Sequence, residues 1–292
     1  MGMKLTLKPG LLGALIVTCA TGAQAACLDQ AQISAWVQGY VAQQPVSNPP
    51  ADLSDADGAC TRARFTAALE KQGAKIIGYK AGLTNPAVQK RFSTDKPVWG
   101  KLYEGMLRPD GARMPAKFGA RPLFEADMLV RIKSAGIASA ATPQQVLENI
   151  DQVVPFIELP DLMVEAPPKL NGAGVAAINV GARLGVMGKP LAVPRDSALR
   201  SALLDGLRSM QVVVRDGEQE VVRGKGSDIL EHPLNAVSWL ARALASEGLA
   251  LQPGDWVSLG SFSPLMPAKP GQAISVSYEG LQGLEPVHVS FE

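Results

Sequence analysis

The chain has 292 residues, 47% of them hydrophobic, with 28 Lys and Arg against 27 Asp and Glu. This length allows one large domain or two smaller ones, and the apolar content argues against intrinsic disorder. The near balance of charge gives no electrostatic reason to expect nucleic acid as a partner. With 29 Gly and 22 Pro the chain has many turns, which favours a strand-rich fold.

Residues 1–25 contain the three parts of a secretory signal peptide in their usual order. Lys4 and Lys8 form a basic start, residues 11–17 are apolar, and residues 23–25 read Ala-Gln-Ala, an A-x-A cleavage motif. The apolar stretch is too short to span a bilayer as a mature helix. We therefore expect a periplasmic or secreted protein that begins at Ala26 and has no membrane attachment after cleavage.

Cys27 and Cys60 are the two cysteines that remain once residues 1–25 are removed. An even pair in an oxidising compartment favours a disulfide bond over two free thiols. The two cysteines flank a helical segment and a polar loop, so the predicted bond would staple the N-terminal region.

Taken in chain order, the hydrophobic periodicity predicts helices and then strands. Predicted helices lie at 29–41, 61–72, 86–92, 142–150 and 233–247, with a loop at 44–58. Predicted strands lie at 76–80, 99–106, 121–132, 153–159, 212–215, 220–223, 256–260, 274–278 and 287–291. Residues 171–185 are rich in Gly and Ala, which suits close backbone approach. We predict an α+β protein with a helical or mixed region at 26–110 and a strand-rich domain at 111–292.

Two carboxylates stand at the head of one predicted strand. Glu125 and Asp127 are two residues apart, so their side chains share a face of the strand, opposite Met128 and Val130. Adjacent carboxylates repel each other unless a cation or solvent separates them, and alone this pair fits an exposed strand end better than a metal site.

A third carboxylate shifts this balance. Glu158 lies inside another apolar run, and a carboxylate is rarely buried there without a partner. Three converging carboxylates with no nearby His or Cys suit a hard cation such as Mg²⁺ or Mn²⁺.

A set of short motifs follows one consistent order along roughly residues 30–290. They occupy 77–84, 87–89, 100–106, 125–127, 157–161, 231–241, 260–261 and 269–271. This ordered set resembles the family of 2-keto-4-pentenoate hydratases and 4-oxalocrotonate decarboxylases, within the fumarylacetoacetate hydrolase superfamily. The resemblance implies an enzyme, a lyase, whose catalytic domain is a mixed β-roll.

The resemblance also implies a divalent metal, Mg²⁺ or Mn²⁺, held by Glu125, Asp127 and Glu158. In the family this metal chelates the carboxylate and 2-oxo group of a 2-keto acid and stabilises the enolate as charge develops. Asp127 stands where a Glu is usual, so the ion would have to lie closer to the strand.

Further site residues follow from the same resemblance. Lys80 matches the family's active-site lysine, which anchors substrate or moves a proton, although without the surrounding motif it would pass for an ordinary lysine at a strand end. Glu104 stands in place of the first of two adjacent Asp residues and is the expected base. Asn171 and Ser261 are expected to contact the substrate.

The leading functional hypothesis is hydration of a 2-hydroxy-2,4-dienoate or 2-keto-4-pentenoate-like acid by a homo-oligomer. The alternatives are a 2-oxo-3-hexenedioate decarboxylase, a related acylpyruvate tautomerase or hydrolase, and a non-catalytic exported binder of 2-keto acids. Gly105 and Leu170 favour the binder, because the family carries Asp at both positions. Aromatic catabolism is the family's usual setting, but its members are mostly cytoplasmic, so an exported chain is expected to differ in physiological substrate.

Overall fold

The structure, a computed structural model, describes residues 1–2 and 27–292. The predicted signal peptide and its cleavage motif therefore lie outside the described residues, apart from Met1 and Gly2. Within the part that is described, no helix is both long enough and apolar enough to cross a membrane.

Helices and strands are interspersed along residues 27–292, with two helices at the start of this segment and four strands at its end. The α-helices are α1 (Gln30–Ala42), α2 (Asp55–Lys71), α3 (Pro86–Arg91), α4 (Pro143–Glu148), α5 (Gly172–Ala177), α6 (Ser197–Ser209) and α7 (Asn235–Ser246). The strands are β1 (Ile76–Gly82), β2 (Val98–Tyr103), β3 (Leu107–Pro109), β4 (Ala112–Met114), β5 (Leu123–Ile132), β6 (Ile150–Leu159), β7 (Leu184–Met187), β8 (Leu191–Ala192), β9 (Gln211–Asp216), β10 (Gln219–Lys225), β11 (Trp256–Ser258), β12 (Met266–Pro267), β13 (Ala273–Glu279) and β14 (Val287–Phe291).

The strands form two mixed sheets. The larger runs β2-β1-β11-β5-β6-β7-β3, with β12 on β5 and β8 on β6, and the smaller runs β10-β9-β13-β14-β4. In the larger sheet β1 and β11 are parallel, whereas β5 is antiparallel to both β11 and β6. The α+β class with mixed sheets, predicted from the sequence, is confirmed.

The larger sheet buries both of its faces. Met128 and Val130 of β5 belong to a core that continues into the smaller sheet and α7, whereas Leu129 belongs to a core with α1, α2 and α5. Alternate residues of a strand point to opposite faces, so Glu125 and Asp127 lie on the side of the N-terminal helices. Tyr278 of the smaller sheet donates its hydroxyl to the backbone oxygen of Asp127, which ties the two sheets together.

The close pairing of β1 with β11 depends on one glycine. Gly78 has a φ of 154°, and a Cβ at this position would lie 1.9 Å from the backbone oxygen of Trp256. Only a residue without a side chain allows this approach. The pairing then sets Lys80 opposite Ser258.

The structure differs from the sequence-based expectation in three places. Strand β1 pairs with β11 and β3 pairs with β7, so the predicted regions 26–110 and 111–292 share one sheet. Helix α2 begins at Asp55, inside the predicted loop at 44–58, because Ser54 and Asp57 form a capping box there. Helix α6 was not predicted, although Asp196 caps it and Leu203 and Leu207 are buried on one face.

Cys27 and Cys60, the pair for which the sequence favours a disulfide, are joined by one, with Cα atoms 5.6 Å apart. Cys60 lies within α2 and Cys27 precedes α1. The bond therefore fastens the start of the described main segment to the second helix.

Candidate functional site

Four adjacent strands of the larger sheet bring four of the predicted site residues together: Lys80, Glu125, Asp127 and Glu158. The order β1-β11-β5-β6 places Lys80, Asp127 and Glu158 on neighbouring strands. Glu125 and Glu158 are directly paired across β5 and β6. Residues far apart in sequence thus meet because parallel β1–β11 pairing and the β5–β6 ladder fix their positions.

Lys80 and Glu158 form a buried ion pair. Each side chain is 3% exposed, and the Lys80 Nζ donates to Glu158 Oε1 and to the backbone oxygen of Val180, the latter at 3.0 Å. Removing one partner of such a pair leaves an uncompensated buried charge, which typically costs about 3–5 kcal/mol. This contact holds the ammonium group of Lys80 beside the carboxylate of Glu158.

Glu125 lines a cavity beside this ion pair. Burial raises the pKa of its carboxyl well above the ordinary value, the charge of Glu158 raises it further, and Lys80 opposes both effects. A carboxyl group with these neighbours holds its proton more tightly than a free glutamate does.

Asp127 lies deeper than Glu125, fully buried behind it. Its Oδ1 accepts the N–H of Gly260 at 3.0 Å and that of Met128, and its Oδ2 accepts the hydroxyl of Ser258. Burial raises the pKa of Asp127 well above its usual value, as does the charge of Glu158, whereas the hydrogen bond from Ser258 lowers it. Ser258 and Gly260 therefore orient this carboxylate.

The three carboxylates fit a hard cation by their donor atoms. Glu158 Oε2 is buried and has no hydrogen-bond partner among the described residues. An ionised carboxylate offers about four lone-pair sites, so Asp127 Oδ2 retains one beyond its bond to Ser258. Among the described residues, however, no three His, Cys, Asp or Glu side chains already stand in a metal-binding arrangement. The predicted ligand set of Glu125, Asp127 and Glu158 stays a prediction.

The cavity beside the ion pair, called the inner chamber here, has a volume of about 440 Å³. Three predicted residues line it or face it: Lys80, Glu125 and Ser261. Its polar lining also includes residues that sequence reasoning did not single out, namely Thr84, Asn85, Arg91, Arg223, Asp228 and Ser263. Thr84 Oγ1 is buried without a partner in the described part of the chain. Thr84 is the last residue of the Gly-Leu-Thr motif that begins at the end of β1, and its place in this motif is the sequence signal that could have identified it as a site residue.

Glu104 does not lie in the inner chamber. Its side chain is 66% exposed and faces Lys75 at 3.5 Å, and its backbone N–H donates to the Lys75 oxygen just before β1. Lys80 stands five residues further along that strand, roughly 16 Å away at the usual rise per residue. The structure therefore corrects the expectation that Glu104 is the base near the carboxylates.

Asn171 and Ser261 have structural contacts of their own. Asn171 caps α5 through a hydrogen bond from the Gly174 N–H at 2.7 Å, and it is not part of the inner-chamber lining. Ser261 accepts the N–H of Ser263 at 3.1 Å and lines the chamber. Of the two expected substrate contacts, the structure places Ser261 at the cavity and Asn171 at a helix end.

No protein-family model matches the chain. The 4-oxalocrotonate decarboxylase of Pseudomonas putida is 28% identical over 236 residues, which cover 81% of this chain and 86% of that protein. The 2-keto-4-pentenoate hydratase 2 of Dechloromonas aromatica (strain RCB) is 30% identical over 216 residues, 74% of this chain and 79% of that protein.

Two solved structures of related enzymes are also similar to this chain. The 4-oxalocrotonate decarboxylase from Pseudomonas putida G7, complexed with magnesium and adipate, is 26% identical, with a TM-score of 0.78 over 91% of this chain and 99% of that one. The fumarylpyruvate hydrolase from Pseudomonas aeruginosa, in complex with Mn²⁺ and pyruvate, has a TM-score of 0.54 at 14% identity, over 73% of this chain and 89% of that one, which speaks for the fold alone. The expected mixed β-roll is confirmed.

Proposed function

Because the chain belongs to the family of 2-keto-4-pentenoate hydratases and 4-oxalocrotonate decarboxylases, we propose that it is a metal-dependent lyase acting on a small 2-keto or 2-hydroxydienoic acid. Hydration of the substrate's double bond is the proposed reaction. One observation carries the proposal: Lys80 and Glu125 face the inner chamber beside Glu158, whose Oε2 is buried without a described partner. The carboxyl group of Glu125, the amine of Lys80 and the unpartnered oxygen of Glu158 are therefore close together beside one cavity.

Glu125, Asp127 and Glu158 would hold the metal, and Mg²⁺ or Mn²⁺ is proposed because carboxylate oxygens suit hard cations. The magnesium and manganese in the two solved relatives support this choice. A divalent ion in such a site acts as a Lewis acid toward a bound carbonyl oxygen. Hydrogen bonds from Ser258 and Gly260 keep Asp127 turned toward its strand neighbours, and such supporting bonds commonly orient metal ligands.

The chain's own residues supply binding and proton transfer. Lys80 lines the inner chamber, where its ammonium can anchor a substrate carboxylate or donate a proton. Hydration also needs a base that activates water. Asp228 lines the inner chamber, whereas Glu104 lies at the far end of β1, so Asp228 replaces Glu104 as the proposed base.

The binder hypothesis loses part of its support. Gly105 and Leu170, the two departures from the family pattern, lie outside the inner-chamber lining. The missing carboxylates at these two positions therefore do not remove an acid or base from the lining of this cavity. The tautomerase, hydrolase and decarboxylase alternatives use the same ligand set and are separated by the products they form.

Product identification tests the proposed reaction. Purified protein loaded with Mg²⁺ or Mn²⁺ is offered a panel of 2-hydroxydienoates, 2-keto-hexenedioates and acylpyruvates, and products are identified by mass spectrometry and NMR. Hydration predicts a product 18 mass units heavier than the dienoate (the mass of one water, about 18 Da), absent when a chelator removes the metal. Carbon dioxide release would instead identify the decarboxylase. If every compound is recovered unchanged with metal bound, the binder hypothesis takes the lead over the lyase.

Export and self-association are part of the proposal. The signal-peptide pattern supports export, and the Cys27–Cys60 bond supports an oxidising compartment. Intact-mass analysis of periplasmic protein should show a start at Ala26, and retention of residues 1–25 would contradict export. Self-association into a homo-oligomer stays a proposal, and Val41 and Ile76, 64% and 40% exposed, are apolar side chains that an interface would cover. Light scattering after gel filtration checks this, and a mass of one chain would refute it.

A further inference from the structure

Three consecutive residues between α5 and β7 have left-handed backbone conformations. Asn179 and Val180 each have a φ of 55°, and Gly181 has a φ of 65°. Asn and Gly adopt this conformation more readily than other residues, whereas a β-branched residue such as Val rarely does. A residue in such a conformation persists only where its surroundings fix the backbone, and such residues cluster at functional sites. The contacts around Val180 therefore show what holds it there.

The side chain of Asn179 fastens this segment to strand β2. Its Oδ1 accepts the N–H of Lys101 at 2.7 Å, and its Nδ2 donates to the backbone oxygen of Lys101 at 3.0 Å. Gly100 allows the close approach, because a Cβ at that position would lie 2.5 Å from the backbone oxygen of Asn179. On the other side of Val180, the backbone oxygen of Gly181 accepts the N–H of Asp161 at 2.9 Å. The segment is thus fixed on both sides of the valine.

The fixed segment presents the backbone oxygen of Val180 to Lys80. The Lys80 Nζ donates to this oxygen at 3.0 Å and also to Glu158 Oε1. An ammonium group has three N–H donors, and these two acceptors are the partners of Lys80 among residues 27–292. Lys80 and Val180 both line the inner chamber. Two fixed acceptors set the rotation of the ammonium group, and its third N–H remains for a ligand in the chamber.

From these contacts we infer that Asn179 is a positioning residue for Lys80. Its two bonds to β2 keep the Val180 carbonyl against the ammonium group, so that one N–H of Lys80 is directed at the bound acid. Without these bonds Val180 would relax toward a common conformation, and its carbonyl would turn away from Lys80. Asn179 is 2% exposed and does not line the inner chamber, so it acts on the substrate through its neighbours. The inference rests on the role proposed for Lys80 and adds the residue that orients it.

Oxalate binding tests the inference in a double-mutant cycle. Oxalate resembles the carboxylate and 2-oxo group of a 2-keto acid, and isothermal titration with Mg²⁺ present measures its affinity for the parent, Asn179→Gly, Lys80→Met and the double variant. Glycine adopts the left-handed conformation freely, so Asn179→Gly removes the side-chain bonds without adding backbone strain. This substitution should weaken oxalate binding at least about tenfold in the parent, the scale of one charge-assisted hydrogen bond. In the Lys80→Met background it should change the affinity less than about twofold, because the residue through which it acts is missing.

Asn48→Gly is the matched control. The Asn48 side chain makes the same pair of bonds with the backbone of Ala166, each at 2.8 Å, and it does not line the inner chamber. The control should melt at a lower temperature than the parent but keep its oxalate affinity within about twofold. Asn179→Asp keeps the acceptor for the Lys101 N–H and loses only the donor. It should weaken oxalate binding less than Asn179→Gly does, and it carries the test if the glycine variant does not fold.

Melting curves establish that each variant is folded before its affinity is compared. Unchanged oxalate affinity in Asn179→Gly, or an equal loss in the parent and Lys80→Met backgrounds, would overturn the inference and leave the lyase proposal standing. Failure of the parent protein to bind oxalate in the presence of Mg²⁺ would overturn both.

Discussion

Glu125 and Glu158 stand directly opposite each other on β5 and β6, and it is Glu158 whose carboxylate contacts Lys80. The two glutamates therefore differ in environment, although both belong to the predicted ligand set. Glu158 is held by an ammonium group, whereas burial and the neighbouring charge raise the pKa of Glu125. This difference leads to distinct expectations for each residue.

Lys80→Ala should reduce both stability and activity. Loss of the ammonium leaves Glu158 buried without its partner, so we expect the free energy of unfolding to fall by about 3–5 kcal/mol. Loss of the anchor or acid should lower kcat/KM by at least about two orders of magnitude. Urea unfolding and stopped-flow loss of dienoate absorbance measure the two effects. Lys75→Ala, at an exposed lysine, is the control, and equal behaviour of the two variants would refute the role of Lys80.

Glu104→Gln should retain activity and stability, because the Glu104 side chain is exposed to solvent beside Lys75.

Asp228→Asn should lower kcat by at least about a hundredfold, the low end of a general-base contribution, while keeping metal and oxalate binding. Steady-state kinetics with the dienoate compares the pair. Normal turnover by Asp228→Asn together with a loss in Glu104→Gln would reverse the assignment of the base.

The pH dependence of stability should report the pKa of Glu125. A carboxyl whose pKa is raised by folding holds a proton that the unfolded chain has released, so the metal-free protein loses stability as pH rises from about 4.3 toward the raised value. Glu125→Gln should lack this component. Mg²⁺ competes with protons for the carboxylates, so its stabilising effect should grow with pH. Melting curves of both proteins across pH check this, and parallel profiles would contradict the raised pKa.

Reduction of the disulfide should destabilise the protein. Cys27 and Cys60 are 33 residues apart, and closing a loop of that length stabilises by roughly 3–4 kcal/mol in the chain-entropy model. The double variant Cys27→Ser/Cys60→Ser should therefore melt at a lower temperature, and dithiothreitol should lower the melting temperature of the parent protein but not of the variant. Identical melting temperatures for the two proteins would show that the bond adds no stability.

Much of the fold was predictable because local patterns agree with it. The helix at Asn235–Ser246 was predicted because its buried residues recur at helical spacing, and the hairpin of β9 and β10 because an Asp-Gly turn separates two strands. Glu125 and Asp127 were predicted to share a face, and the two cores on either side of β5 show that they do.

Long-range pairing accounts for what sequence reasoning missed. Arg91 reaches the cavity because α3 follows β1 and folds over the sheet, a placement that no local motif around residue 91 encodes. Asp228 enters through a turn after β10, far from the carboxylate motifs in sequence. Glu104 was misplaced because the β1–β2 register carries the end of β2 away from Lys80.

The metal dependence of dienoate consumption tests the central claim most directly. Metal-free protein is titrated with Mn²⁺ while the ultraviolet absorbance of a 2-hydroxydienoate is followed, alongside Glu158→Gln, which keeps the side chain's shape but removes its charge. We predict that absorbance is lost only as Mn²⁺ saturates the parent protein, and that Glu158→Gln neither binds Mn²⁺ with the same affinity nor consumes the dienoate. Turnover without metal, or turnover by Glu158→Gln equal to that of the parent, would contradict the account.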